Sequence, residues 1–184
     1  MKTEKFNYDL PEHLIAQYPA SQRTESKLLV AIESIQHQVF KEIGSYINKG
    51  DLLILNKTSV IPARLYGEKS TGGKIEILLE RFLSHHQTLT QIKSSRTPRE
   101  GAELVFSFQG NRFIATVKGR QDNFFILDWF DDPKSLFEQY GQIPLPPYMN
   151  RAAEKLDEER YETIYADPDQ KASVAAPPAG MHFD

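Results

Sequence analysis

Gly50-Asp51-Leu52-Leu53-Ile54-Leu55-Asn56-Lys57-Thr58-Ser59-Val60-Ile61-Pro62-Ala63-Arg64-Leu65 is where the pattern of the chain changes. Leu52 to Leu55 is four apolar residues without alternation, which predicts a strand buried on both faces. Asn56 to Ser59 is a polar turn, and Pro62 leads into a second strand. From Ala63 to Asp128 short strand candidates are separated by turn signals at Gly72-Gly73, Ser84-His85-His86, Pro98 to Gly101, Gln109-Gly110-Asn111 and Gly119 to Asn123. Regular strands at this spacing predict a small antiparallel barrel or sandwich, with Val105, Phe106, Phe108, Phe113, Ile114 and Val117 lining its interior.

The flanks of this strand-rich stretch read differently. Asp9 before Pro11 marks a helix start, with Leu14 and Ile15 as its apolar face and an end by Tyr18-Pro19. Leu28 to Ile35 and His37 to Phe40 read as paired strands, followed by a short helix from Lys41 to Ile47 closed by Asn48-Lys49-Gly50. After the strand-rich stretch, Asp132-Pro133 starts a helix through Tyr140 that Gly141 closes. The proline-rich Ile143 to Tyr148 leads out in extended form, and Asp157 to Tyr165 reads as another short helix.

Composition narrows the classes. With 184 residues, 40% of them hydrophobic, the chain can bury a core as one domain or two small ones. A net charge of -3 provides no global basic field, so any contact with RNA must come from a local patch. The absence of cysteine excludes a disulfide framework, a thiolate metal site and a catalytic thiol. The polar, charged opening Met1-Lys2-Thr3-Glu4-Lys5 is not a signal peptide, and no segment approaches membrane-spanning length, so a cytoplasmic protein is expected. His85-His86 lies in a turn signal with no carboxylate at ligand spacing, so no metal site is read there.

Several motifs recur in one order. They are Phe6-Asn7-Tyr8-Asp9-Leu10-Pro11, Leu14-Ile15-Ala16-Gln17-Tyr18-Pro19, the Leu52 to Leu65 run, Gly72-Gly73-Lys74-Ile75-Glu76, Ile143 to Tyr148, Glu159 to Tyr165, and Ala175-Ala176-Pro177-Pro178-Ala179-Gly180-Met181-His182-Phe183. In these motifs the chain resembles the S-adenosylmethionine:tRNA ribosyltransferase-isomerases of queuosine biosynthesis, in their N-terminal portion. The resemblance implies a mixed α+β fold, a partial α/β domain interrupted by a small antiparallel β-barrel insert. Residues 1–61 and 143–184 would form parts of the discontinuous domain, with its C-terminal half missing, and residues 62–142 the insert. The implied reaction transfers and isomerises the ribosyl moiety of S-adenosylmethionine onto 7-aminomethyl-7-deazaguanine at the tRNA wobble position. It gives epoxyqueuosine and releases adenine and methionine, with S-adenosylmethionine as substrate and no prosthetic group. This chain alone is expected to be inactive.

Proton abstraction beside a sulfonium and protonation of departing adenine both need positioned acid-base groups. His182, in a Gly-x-His-Phe turn beside Pro177 and Pro178, is the catalytic candidate; the alternative is a structural histidine satisfying local backbone groups. Arg64 could hold a carboxylate or phosphate, or be a structural ion-pair partner. Asn56, at the end of a buried strand, is either a ligand contact or a turn former. Tyr148, Arg160 and Tyr161 could offer a stacking and phosphate-binding surface, or simply pack. Lys93, Arg96 and Arg99, with Lys118 and Arg120, make the one clustered basic stretch, suited to an RNA backbone or to a solvated rim.

The chain departs from the family pattern in places. Lys57 and Ser59 stand where an aspartate and an arginine are usual, and Pro178 replaces a threonine, losing a hydroxyl and a backbone donor. These departures favour an alternative class, a non-catalytic truncated homologue acting as an RNA-binding or regulatory module.

Overall fold

The computed structural model describes residues 2–184, the side chains at 171 and 172 excepted, so Met1 of the charged opening lies outside the described residues. The fold is mixed α+β, with few helices and a closed antiparallel barrel of six strands.

The helix expected from Asp9 to Tyr18 is reduced to one 3-10 turn, Glu12–Leu14, entered from Pro11. Between Pro11 and Pro19 there is too little chain to offset the cost of helix nucleation, and Leu14 finds no core, remaining exposed. The expected pair of strands is present as an antiparallel hairpin of β1 (Lys27–Ala31) and β2 (Ile35–Val39), which turns at residues 32–34, inside the first strand as read, and runs in register from Lys27 opposite Val39 to Ala31 opposite Ile35. The helix after it is a 3-10 segment, Phe40–Tyr46. Leu52 to Leu55 makes no strand: the four side chains are 44–84% exposed. A strand buried on both faces needs a ladder partner, and among the described residues no strand pairs with this run.

After Asn56 the chain enters β3 (Thr58–Val60) and then the barrel strands β4 (Arg64–Lys69), β5 (Lys74–Phe82), β6 (Gln87–Ser94), β7 (Glu103–Phe108), β8 (Asn111–Gln121) and β9 (Phe124–Trp129). Their order is β4-β5-β6-β9-β8-β7, closing where β7 pairs with β4. Closure removes the free edges that an open sheet of these strands would expose. The alternation that a strand imposes is clean: Ile75, Ile77 and Leu79 of β5 and Phe125, Leu127 and Trp129 of β9 are buried, every second residue. Trp129 satisfies its indole N–H inside by donating to the Thr88 hydroxyl at 2.8 Å. Gly67 is small for a packing reason, since a Cβ there would lie 2.6 Å from Phe106 Cδ1 and from the Val105 carbonyl.

Phe106 and Val117 are buried as expected, and Val105 with them. Phe108 and Phe113, half-buried, pack against the barrel core as expected and also around Tyr140, Phe108 stacked on it at 4.9 Å between ring centroids. Tyr140 ends α1 (Pro133–Tyr140), which begins with Asp132 as N-cap and Pro133 in its first turn and is followed by Gly141. Leu136 and Phe137 of α1 join the barrel core, so the helix plugs it rather than lying free. Next come a 3-10 turn, Pro147–Met149, the short α2 (Lys155–Arg160), and β10 (Asp167–Ser173). α2 starts two residues before the expected Asp157 and ends at Arg160, with Glu154 and Asp157 forming a reciprocal capping box. β10 runs parallel to β3.

The chain divides into two compact units. One comprises Met1–Leu53, Leu145–Ala152 and His182–Asp184; the other Ile54–Pro144 and Ala153–Met181. Among the described residues no helix is long and apolar enough to cross a membrane.

Candidate functional site

In the barrel-containing unit the candidates gather around β3. Ser59 and Val60 are buried there, and Glu162 reaches both: its Oε1 accepts from the Ser59 hydroxyl at 2.5 Å and from the Val60 N–H at 2.8 Å. Because Glu162 lies two residues past α2, this anchor carries Arg160 and Tyr161, both half-buried, to the same ladder. Asn56 spends its side-chain oxygen on Thr58, accepting from its N–H at 3.0 Å and its hydroxyl at 2.7 Å, the geometry of an Asx turn.

Lys57 is paired as well, with Nζ 3.0 Å from Asp167 Oδ2. The Lys57 ammonium, then the Asp169 N–H, hold the Asp167 carboxyl below its ordinary value of 3.8. Lys57, just before β3, and Ser59 within it are therefore each matched by a carboxylate, Asp167 of β10 and Glu162 ahead of that strand. Behind them, Gly180 packs so closely on the Tyr165 hydroxyl and Thr163 that a Cβ would collide. Thr163 is buried, and its hydroxyl has no hydrogen-bond partner among the described residues.

Arg64, at the start of β4, lies with Nε 3.0 Å from Glu76 Oε1 on β5 and is mostly buried. Its charge is engaged by a structural carboxylate, while its backbone pairs with Gln142. The basic residues sort by strand direction. Antiparallel strands alternate, so the β4–β5, β6–β7 and β8–β9 connections leave the same end of the barrel. Lys69 Nζ donates to the Arg96 carbonyl at 2.9 Å and ties two of these connections together. Lys93, Arg96 and Arg99 are exposed, whereas Lys118 pairs with Asp128 and Arg120 stacks 4.3 Å over the Phe125 ring. His85 and His86 sit exposed on the β5–β6 turn, at the opposite end. Among the described residues no three His, Asp or Glu side chains gather as metal ligands would.

The other unit holds His182 and Tyr148. The His182 ring lies 5.3 Å from that of Phe40, tilted by 41°, and Phe183 meets the same Phe40 edge-on at 4.9 Å. Asp184 accepts from the Thr24 hydroxyl at 2.8 Å, which fixes the segment further. Tyr148, on the Pro147–Met149 turn, is 57% exposed and borders a cavity of about 660 Å³ with Glu12, His13, Gln17 and Asn150. Arg151 supports this wall from beside it: its Nε donates to the Gln17 carbonyl at 2.8 Å and its guanidinium lies 4.5 Å from the Tyr18 ring.

The family model described as queuosine biosynthesis protein matches residues 3–184 of the chain. The chain belongs to this queuosine biosynthesis family. The S-adenosylmethionine:tRNA ribosyltransferase-isomerase of Acinetobacter baylyi is 46% identical over 187 residues, covering 100% of this chain and 54% of that protein. The protein of the same name from Acinetobacter baumannii is 44% identical over 186 residues, covering 100% and 53%. The crystal structure of an S-adenosylmethionine tRNA ribosyltransferase from Thermotoga maritima matches 79% of this chain and 52% of that one, with 34% identity and a TM-score of 0.38. The chain spans about half the length of the curated relatives it matches.

For this family member, sequence reasoning overlooked Glu162, Asp167 and Glu12. The first two were legible in principle: a lysine and a serine at one short strand, where the resemblance implies an aspartate and an arginine, call for new partners, and acids stand at Glu162 and Asp167. Glu12 carried no comparable signal, because its place in a cavity wall arises only when residues 12–17 meet residues 147–150.

Proposed function

We propose that the chain provides the N-terminal portion of an S-adenosylmethionine:tRNA ribosyltransferase-isomerase. The reaction would move and isomerise the ribosyl moiety of S-adenosylmethionine onto 7-aminomethyl-7-deazaguanine at the tRNA wobble position, with loss of adenine and methionine. The observation that carries this reading is 46% identity along the whole chain to a protein of that name. In this proposal residues 1–61 and 143–184 belong to one discontinuous domain and residues 62–142 to its insert. A barrel that closes between Arg64 and Trp129 supports the insert, whereas residues 54–61 and 153–181, assigned here to the discontinuous domain, cluster with the barrel in one compact unit.

His182 is the proposed proton-transfer residue. Its contact with Phe40 supports this by holding an imidazole at a fixed angle while leaving it partly accessible. Tyr148 in one unit and Arg160 and Tyr161 in the other are the proposed substrate-facing residues, with Asn56 and Arg64 shaping a turn and a strand of the second unit. Asn56 and Arg64 act indirectly, since Thr58 and Glu76 already occupy them.

The test is a chimera in which this chain replaces the matching half of the Acinetobacter baylyi relative. Given S-adenosylmethionine and precursor-containing tRNA, the chimera should release adenine. A second reading, a non-catalytic RNA-binding homologue, draws support from the pairing of Lys57 and Ser59 with carboxylates at positions that differ from the family pattern. It predicts a folded chimera that binds tRNA and releases no adenine, which would overturn the first reading.

A further inference from the structure

We infer that the cavity between residues 11–17 and 146–150 binds a purine-type nucleobase that carries or adjoins a positive charge, with Tyr148 as its stacking face and Glu12 as its acceptor. The inference rests on the ribosyltransferase reading only for the source of the base, and deepens it.

Both walls are built alike. Pro11 leads into the single 3-10 turn Glu12–Leu14, and Pro146 and Pro147 lead into the single turn Pro147–Met149. Proline fixes φ at each entry, so the side chains that follow are aimed by the backbone rather than by packing around them. The second turn ends at Asn150 with φ 48, a left-handed residue that reverses the chain and completes the rim. Arg151 bonds the Gln17 carbonyl, joining the two walls directly within this unit.

The chemistry of the lining selects the ligand class. Tyr148 presents a largely exposed ring, a sequence-tolerant platform on which a heterocycle can stack without displacing a packed neighbour. Ile15 and Pro147 supply apolar floor, while Gln17 and Asn150 offer amide groups. Among the described residues Glu12 is the one carboxylate in the lining, with His13 beside it, and no Lys or Arg lines the cavity. Glu12 disfavours a phosphate or carboxylate ligand and attracts the N–H edge of a purine with a nearby ammonium or sulfonium. At about 660 Å³ the cavity has the size usual for a nucleoside-scale ligand. Two bases of the proposed reaction share this chemistry: the adenine of S-adenosylmethionine, next to its sulfonium, and the aminomethyl-deazaguanine, with its ammonium.

Titration calorimetry of the 184-residue chain with S-adenosylmethionine, and separately with free 7-aminomethyl-7-deazaguanine, tests the inference and separates the two sources. One probe should bind saturably. Its affinity should fall ~10-fold or more in Tyr148→Ala and in Glu12→Gln, and stay within about twofold in Tyr148→Phe, because the ring face and not the hydroxyl is used. Tyr148→Ala removes an exposed side chain, so an unchanged melting temperature should accompany the loss. If neither probe binds, or if binding is indifferent to both variants, the assignment is overturned. Adenine release by the chimera distinguishes this from failure of the functional reading. Normal release in Glu12→Gln and Tyr148→Ala chimeras sinks the cavity alone, whereas probe binding by the chain with an inert chimera sinks the reaction alone.

Discussion

Replacing Glu162 with alanine would leave two donors, the Ser59 hydroxyl and the Val60 N–H, without their acceptor on a buried strand. Unsatisfied buried donors cost about 1–3 kcal/mol each, so Glu162→Ala should lower unfolding free energy by roughly 2 kcal/mol or more. Ser59→Ala removes a donor together with its need for a partner and should cost only about 1 kcal/mol. Urea denaturation of both variants checks the ranking, and equal losses would contradict it. His182 calls for a different measurement. In the chimera, His182→Gln should lower adenine release about a hundredfold or more if the imidazole transfers a proton, with melting temperature little changed. A residue needed only for packing on Phe40 would show the reverse, lost stability with normal turnover per folded molecule. At this scale the sequence made Asn56 and Arg64 legible as positions and left each role open between a ligand contact and a local one, the turn and the ion pair that the structure shows. Whether an arginine meets a phosphate or a Glu76 depends on which residue the register places opposite the β4 strand, and Arg64 is itself paired with Leu78 there.

The elements most legible from sequence were those whose information is local. α1 appears where Asp132, Pro133 and Gly141 mark it, because cap, first-turn proline and terminating glycine act within the segment. Asp132 accepts from the Ser135 hydroxyl at 2.7 Å and from the N–H groups of Lys134 and Ser135, and these bonds, the Ser135 hydroxyl foremost, hold its carboxyl below the ordinary 3.8. Asp132→Ala should therefore cost about 1 kcal/mol near neutral pH. A carboxyl whose pKa is depressed on folding stabilises above its unfolded pKa and ceases to do so as the pH falls through the folded one. Melting curves should accordingly show wild type and Asp132→Ala converging in acid, and a constant gap at all pH values would count against this cap. Barrel strands were legible for the same reason, since alternation and turn signals are local, although the contact of Phe108 and Phe113 with Tyr140 was not, because Tyr140 comes from outside the strands. Leu52 to Leu55 failed because burial on two faces is a statement about neighbours that the run itself cannot encode. The β1–β2 hairpin, with Leu29 and Ile35 exposed, has little apolar cover. Its amides should exchange with solvent much faster than those of β5, β6 and β9, as isolated hairpins are marginal. Equal protection by hydrogen exchange would refute that difference.

Taken whole, the molecule joins a self-closed barrel to segments whose chemistry-bearing residues lie on short turns and one parallel ladder. The barrel core needs only its own strands and α1, whereas the candidate residues depend on bonds between segments more than a hundred positions apart, such as Ser59 with Glu162 and Gln17 with Arg151. Composition is silent about such long-range pairs, and a charge of -3 provides no field that would mark an RNA partner. The central claim is that these segments belong to an enzyme that builds on a tRNA base from S-adenosylmethionine. Mass analysis of nucleosides digested from precursor-containing tRNA, after incubation with S-adenosylmethionine and the chimera, reads that claim at its product. The account predicts loss of the 7-aminomethyl-7-deazaguanosine signal and appearance of epoxyqueuosine; a folded chimera that leaves the precursor nucleoside unchanged would contradict it.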